Sequence, residues 1–337
     1  MEMHRALANG RGPTRRAALA GALASVAAGA AGRAAAYSGE GLEILAAPTG
    51  ASISLARVVE AGGLAAAAPG ATLRPWRDPD ELRAGIVSGK TQLFSTPTHV
   101  PANLANRGLP IRLLCLLGAG HLYVVTADER VASFKDLAGK PVLGFFRKDM
   151  PDLVFRACAK MEGLDPDKDI QLSYVQSGME AAQFLAAGKA ATAILSEPPA
   201  TAAIVMAARQ DRILRRAISL QDVWSRHRHS HGVPMVGVAV RAGVFDQAPG
   251  LLAALRDGLP QAKDWALANP GEAGALAEKA LQMRAPIFEK ALPFMNLDIR
   301  SARAAKADLV DFYETIVAVS PDALAGRVPP DDFFLEL

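Results

Sequence analysis

Phe134-Lys-Asp-Leu-Ala-Gly-Lys-Pro-Val-Leu-Gly-Phe-Phe146 is followed by Gln176-Ser-Gly-Met-Glu180, Phe184-Leu-Ala-Ala-Gly188 and Ala193-Ile-Leu-Ser-Glu-Pro198. Each apolar run ends in a short polar loop that opens a helix. Repetition of that unit predicts βαβ connections and a parallel sheet. It also sets helix N-termini, with their unsatisfied N–H groups, along one rim.

The same alternation runs upstream. Strands are expected at Leu42–Ala47, Thr72–Arg77 and Thr91–Ser95, with helices at Ile53–Leu64 and Asp80–Ser88. Ile111–Ala127 reads as one continuous extended stretch, after which the pattern restarts. Ile213–Ile218 and Met235–Val240 read as strands, the second returning the chain to the first unit. Beyond Val244 the spacing is helical, broken at Asn269-Pro270 and Val328-Pro-Pro330. The reading is an α/β chain of two lobes. Residues 37–125 and 233–337 form lobe 1 and residues 126–232 form lobe 2. Crossovers near Gly118–Ala127 and Ser225–Pro234 make a hinge, with a ligand cleft between the lobes.

The first 36 residues are a different material. Arginines precede an Ala- and Gly-rich run, and Ala34-Ala35-Ala36 supplies small residues of the kind a signal peptidase accepts. The run is too weakly apolar for a membrane span. Thr14-Arg15-Arg16-Ala17-Ala18-Leu19 resembles a twin-arginine export signal, with the ordinary secretory route as the alternative. This leader holds five of the 37 basic residues and one of the 34 acidic ones, so its removal leaves a net charge of −1. The basic balance therefore argues for no nucleic-acid partner and no membrane insertion after cleavage. The two cysteines, Cys115 and Cys158, read as two buried thiols more readily than as a disulfide.

Over the mature length the chain resembles exported substrate-binding proteins of ABC importers, in the nitrate/sulfonate/taurine class. The resemblance rests on Ala56-Arg-Val-Val-Glu60 with Gly63-Leu64, on Leu82–Gly89, and on Asp136-Leu-Ala-Gly-Lys-Pro-Val142. Phe184–Gly188, Glu197-Pro198 and Trp265-Ala-Leu-Ala-Asn-Pro270 follow in the family's order. It implies a type II periplasmic-binding-protein fold that closes on a small ligand. It also implies a monomeric periplasmic receptor, with an ABC permease and its ATPase as partners. Relatives often end the third strand in Asp, whereas this chain has Gln92 and Ser95 there. It also lacks the lipid-anchoring cysteine of many relatives.

Ligand contacts are expected at strand ends. In lobe 1 these are Thr49, Gly50 and Ser52, then Ser95, Thr96 and Thr98, although hydroxyls at such places also serve as helix caps. His121 is placed at the cleft floor. In lobe 2, Arg147 offers a planar two-point contact to an oxyanion and Phe146 an apolar wall. Ser177 and Gly178 open a helix, and Glu197 ends a strand, where it meets a ligand or the hinge-side surface. His227, His229 and His231 would share one side of an extended segment, which is metal-ligand spacing, but Arg226 and Arg228 oppose a dication. Trp76 and Trp224 are aromatic candidates for stacking or core. No cofactor is called for. The functions weighed are a receptor for a small organic or inorganic anion, an enzyme on the same fold of lyase or pyrimidine-forming type, and a metal or metal-chelate binder.

Overall fold

The computed structural model describes residues 41–337; the leader expected from the sequence lies outside them. Two mixed sheets divide the chain. The first holds β1 (Glu43–Ala46), β2 (Thr72–Pro75), β3 (Leu93–Pro97), β4 (Ile111–Gly118), β10 (Val236–Arg241) and β11 (Leu297–Ser301), in the order β11-β4-β10-β3-β1-β2. The second holds β5 (Leu122–Thr126), β6 (Pro141–Phe145), β7 (Gln171–Val175), β8 (Thr192–Ser196) and β9 (Arg215–Ser219), in the order β7-β6-β8-β5-β9. Within each sheet the βαβ strands pair in parallel, β1 with β2 and β3, and β6 with β7 and β8. The strands that follow a change of lobe, β5 and β10, run antiparallel to their neighbours.

Ile111–Ala127 is therefore not one extended stretch. Gly120, at φ +101°, breaks it, and the whole of β5 belongs to the second sheet, so the change of lobe falls at residues 119–121. The chain returns through residues 229–235. These passages touch: Val233 N–H donates to Ala119 O at 3.0 Å, and a Cβ on Gly232 would lie 2.1 Å from that same oxygen. A third segment joins them, because Asn296 Nδ2 donates to Gly120 O at 2.8 Å and Ala119 N–H to Asn296 O at 2.9 Å.

In lobe 1 the helices α1 (Ile53–Glu60), α2 (Pro79–Ser88) and α3 (His99–Asn106) follow the strands. Lobe 2 carries α4 (Met150–Met161), α5 (Gly178–Ala186), α6 (Pro199–Ala208) and α7 (Leu220–Arg228). The C-terminal third adds α8 (Val244–Gln247), α9 (Pro249–Ala268), α10 (Pro270–Leu281), α11 (Ala285–Ala291) and α12 (Lys306–Val319). Its regularity has one exception, β11, an edge strand whose Asp298 and Arg300 suit an exposed sheet edge.

α12 does not stay within lobe 1. It packs on α4, Phe312 meets Trp224 of α7 at 5.3 Å between ring centroids, and Asp308 and Asp311 pair with His231 and Arg228. Trp224 is thus core, and one continuous apolar cluster runs behind both sheets. Cys115 and Cys158 are buried free thiols in different lobes. Among the described residues no helix is long and apolar enough to cross a membrane.

Candidate ligand-binding cleft

The carboxyl ends of β1, β3, β6 and β8 face each other across a cleft of about 620 Å³. That is within the range of small-molecule sites, roughly 300–1,000 Å³. Lobe 1 contributes the loops after β1, β2 and β3 and residues 281–287; lobe 2 contributes the starts of α4, α5 and α6, and His121 comes from the hinge.

Among the described residues, three cleft-lining side chains have a buried polar atom without a hydrogen-bond partner: Thr49 Oγ1, Thr96 Oγ1 and His121 Nε2. Buried polar atoms are paired in folded proteins far more often than not. His121 is fixed on both sides, since its carbonyl accepts Glu197 N–H at 3.0 Å and the next N–H, of Leu122, donates to Gln221 Oε1 at 3.0 Å. Burial pushes its imidazole down from 6.5 to about 4, so the ring is neutral at pH 7, with one donor and one acceptor nitrogen.

Thr49, Thr96, His121, Phe146, Ser177 and Gly178 of the sequence candidates line this cleft. The others do not. Ser95 Oγ accepts Ala47 N–H at 2.7 Å and meets Ser52 Oγ at 3.0 Å, while Ser52 donates to Ala47 O at 2.8 Å. These two hydroxyls tie the β1 and β3 loops together. Thr98 Oγ1 donates to Pro234 O at 2.6 Å, which pins α3 to the returning crossover. Gly50 leaves room for Met295, whose sulfur would lie 2.3 Å from an added Cβ.

Arg147 also lies outside the lining. Phe146 and Lys148 both take left-handed backbone, φ 49° and 64°, which turns the loop after β6 sharply. Phe146 enters the cleft against Phe145, and Arg147 is left exposed over the Tyr174 ring, 5.5 Å from its centroid. Glu197 points into lobe 2. It accepts from Thr201 N–H at 3.1 Å, from Thr201 Oγ1 at 2.8 Å and from two nitrogens of Arg216. Burial raises its carboxyl despite that guanidinium. The histidine triplet is split by the end of α7. His227 lies in its last turn and meets Glu162 at 3.0 Å; His229 is the left-handed cap; His231 meets Asp308 at 3.3 Å. Among the described residues no cluster of three or more potential metal ligands occurs.

The lining also holds one aromatic candidate, Trp76, and several residues that carried no sequence signal. Trp76, weighed as stacking or core, is buried with its Nε1 donating to Ser95 O at 3.1 Å, and it also borders the cleft. Asp149 caps α4 and crosses the cleft to His99 Nε2 at 3.2 Å and Arg83 at 3.3 Å. Burial raises its carboxyl, but His99, the Met150 N–H and Arg83 together hold it down at about 2. Five of the nine methionines, Met150, Met179, Met206, Met235 and Met283, line the cavity.

Two α/β lobes, a doubled hinge and a cleft lined from both sides define the architecture of two-lobed periplasmic binding proteins. The chain belongs to the NMT1-like family, whose sequence model matches residues 82–281. Solved structures share the fold. An ABC transporter protein from Parabacteroides distasonis is 22% identical, with a TM-score of 0.71 over 88% of this chain and 99% of that one. The periplasmic aliphatic sulphonate binding protein SsuA from Escherichia coli is 16% identical, with a TM-score of 0.64 over 88% and 100%. The periplasmic nitrate-binding protein NrtA from Synechocystis PCC 6803 is 14% identical, with a TM-score of 0.61 over 86% and 85%. No curated protein matches the chain.

Proposed function

We propose that the protein is an exported, soluble receptor that closes on a small organic ligand and delivers it to an ABC permease and its ATPase in the periplasm. The observation that carries this reading is the trio of unsatisfied polar atoms on Thr49, Thr96 and His121, converging on a cleft between hinged lobes. The NMT1-like family and neighbours described as sulphonate- and nitrate-binding periplasmic proteins support the receptor role. The leader, with its paired arginines, supports export through the twin-arginine route.

A binding role is favoured over catalysis by the fate of Glu197, whose N–H bonds to His121 O but whose carboxylate turns away from the imidazole. Glu197 is held by Arg216 and Thr201 and does not line the cleft. A neutral imidazole without a carboxylate to orient it serves as a hydrogen-bonding group more readily than as a general base. Native mass spectrometry of the protein isolated from its own cells tests the proposal. A single retained small molecule, released unchanged on unfolding, is expected. When added back at 100 times its Kd, it should raise stability by about 2.7 kcal/mol. Conversion of the molecule during incubation, or the absence of any retained molecule together with no thermal shift across a solute panel, would refute the reading.

A further inference from the structure

The cleft's charge pattern points away from a small inorganic oxyanion. A desolvated anion needs a cation or free N–H groups around it. Two of the three helix starts that lobe 2 turns to the cleft are already answered by acids. Asp149 accepts Met150 N–H at 2.7 Å, and Glu197 accepts Thr201 N–H at 3.1 Å. At the start of α5, Ser177 accepts Glu180 N–H, while Glu180 accepts Gln176 N–H. Pro151, Pro198 and Pro199 have no N–H to give.

The lining arginines are equally informative. Arg83 is committed to Asp149 and Asp80, and Arg77 is largely exposed beside Glu81. Arg209 and Arg284 are exposed and, among the described residues, have no carboxylate within ion-pair distance. They border α6 and α11, which touch across the mouth of the cleft. Positive charge is therefore available at the mouth, while the hinge end offers two hydroxyls and one imidazole. Between these ends lie Trp76, Phe146 and the five methionines, a flexible apolar lining that adapts to varied shapes. The cleft of about 620 Å³ lies in the range of sites for organic ligands rather than for a nitrate ion alone.

We infer that the ligand is an amphipathic organic monoanion whose uncharged hydrogen-bonding end meets Thr49, Thr96 and His121, whose apolar body lies among the methionines, and whose acid sits at the mouth between Arg209 and Arg284. This rests on the receptor reading and deepens it.

A homologous series of ω-hydroxyalkanoates, from glycolate through 6-hydroxyhexanoate to 10-hydroxydecanoate, carries these three features. Isothermal titration of the mature protein with this series, 1,10-decanediol, nitrate, sulfate and taurine tests the inference. Affinity should rise about fourfold per added methylene, hence on the order of a hundredfold from the six- to the ten-carbon acid. The double variant Arg209→Ala with Arg284→Ala alters two exposed side chains. It should bind the ten-carbon acid about tenfold more weakly and the diol unchanged, in keeping with two partly solvated ionic hydrogen bonds. Nitrate, sulfate or taurine binding as tightly as 10-hydroxydecanoate would overturn the inference and leave the receptor reading intact. So would equal loss of acid and diol in the double variant. Binding by no probe would also overturn it. A molecule retained in native mass spectrometry would then preserve the receptor reading, and none retained would end both.

Discussion

His121 offers a direct check on the electrostatics of the cleft, because its burial can be read as pH-dependent stability. The unfolded chain takes up a proton on this ring near 6.5, the folded protein only near 4. Between those values the unfolded state binds more protons, so stability is full above 6.5 and declines as pH falls toward 4. The gap corresponds to about 3 kcal/mol in all, of which about 2 kcal/mol is lost between pH 7 and pH 5. Five other histidines and every carboxylate also titrate, so a single measurement does not isolate the effect. Urea unfolding of the native protein and of His121→Gln, each at pH 7 and pH 5, does isolate it. The variant should show a pH-dependent loss smaller than that of the native protein by about 2 kcal/mol, whatever its absolute stability. Equal pH-dependence in the two proteins would refute the neutral, buried imidazole. A His121 imidazole resonance, assigned by its loss in His121→Gln, that titrates above pH 6 in the folded state would do the same.

Three further outcomes follow from the contacts that hold the lobes. Asp149→Asn removes the charge that crosses the cleft to Arg83 and His99, while an Asn can still cap α4. With Arg83 partly exposed the loss should be about 1 kcal/mol, seen as a lower thermal midpoint and a larger radius of gyration in X-ray scattering; an unchanged radius would show that this contact does not hold the lobes together. Glu197→Gln leaves the guanidinium of Arg216 without its carboxylate, but burial already disfavours that charge, so the loss in urea unfolding should be only about 1 kcal/mol, with little effect expected from Arg147→Ala. Burial pushes the Cys115 thiol up to about 12 and the Cys158 thiol higher still, so a thiol reagent at pH 8 should modify neither until the protein is unfolded; rapid reaction of the folded protein would contradict their placement.

Most of the scaffold was legible because buried parallel strands read as plain apolar runs. Pro141–Phe145 and Thr192–Ser196 are flanked by turn residues and helix starts, and nothing else in the menu fits such spacing. Two of the misses have a common cause, which is that polar residues hid the pattern. Leu297–Ser301 is an edge strand carrying Asp298 and Arg300, so its alternation looked like one more helix face. Leu220–Arg228 was masked by Arg226, His227 and Arg228, although Ser219, which accepts Asp222 N–H, was a visible helix start.

The site was legible by residue type and place, but not by direction. Thr49, Ser52, Ser95 and Thr96 sit on the same two strand-end loops and have the same chemistry. Two of the hydroxyls face the cleft and two face each other, and only the register of β1 against β3 decides which. Arg147 was lost to a local event of the same kind: left-handed backbone at Phe146 exchanges which of two neighbours enters the cavity. Arg209 and Arg284 belong to no motif and lie 75 positions apart, so their shared place at the mouth follows only from the contact of α6 with α11. A binding specificity assembled from such distant pairs changes by surface substitution without disturbing the strands. For that reason the same scaffold accommodates ligands as different as those its structural neighbours are described as binding.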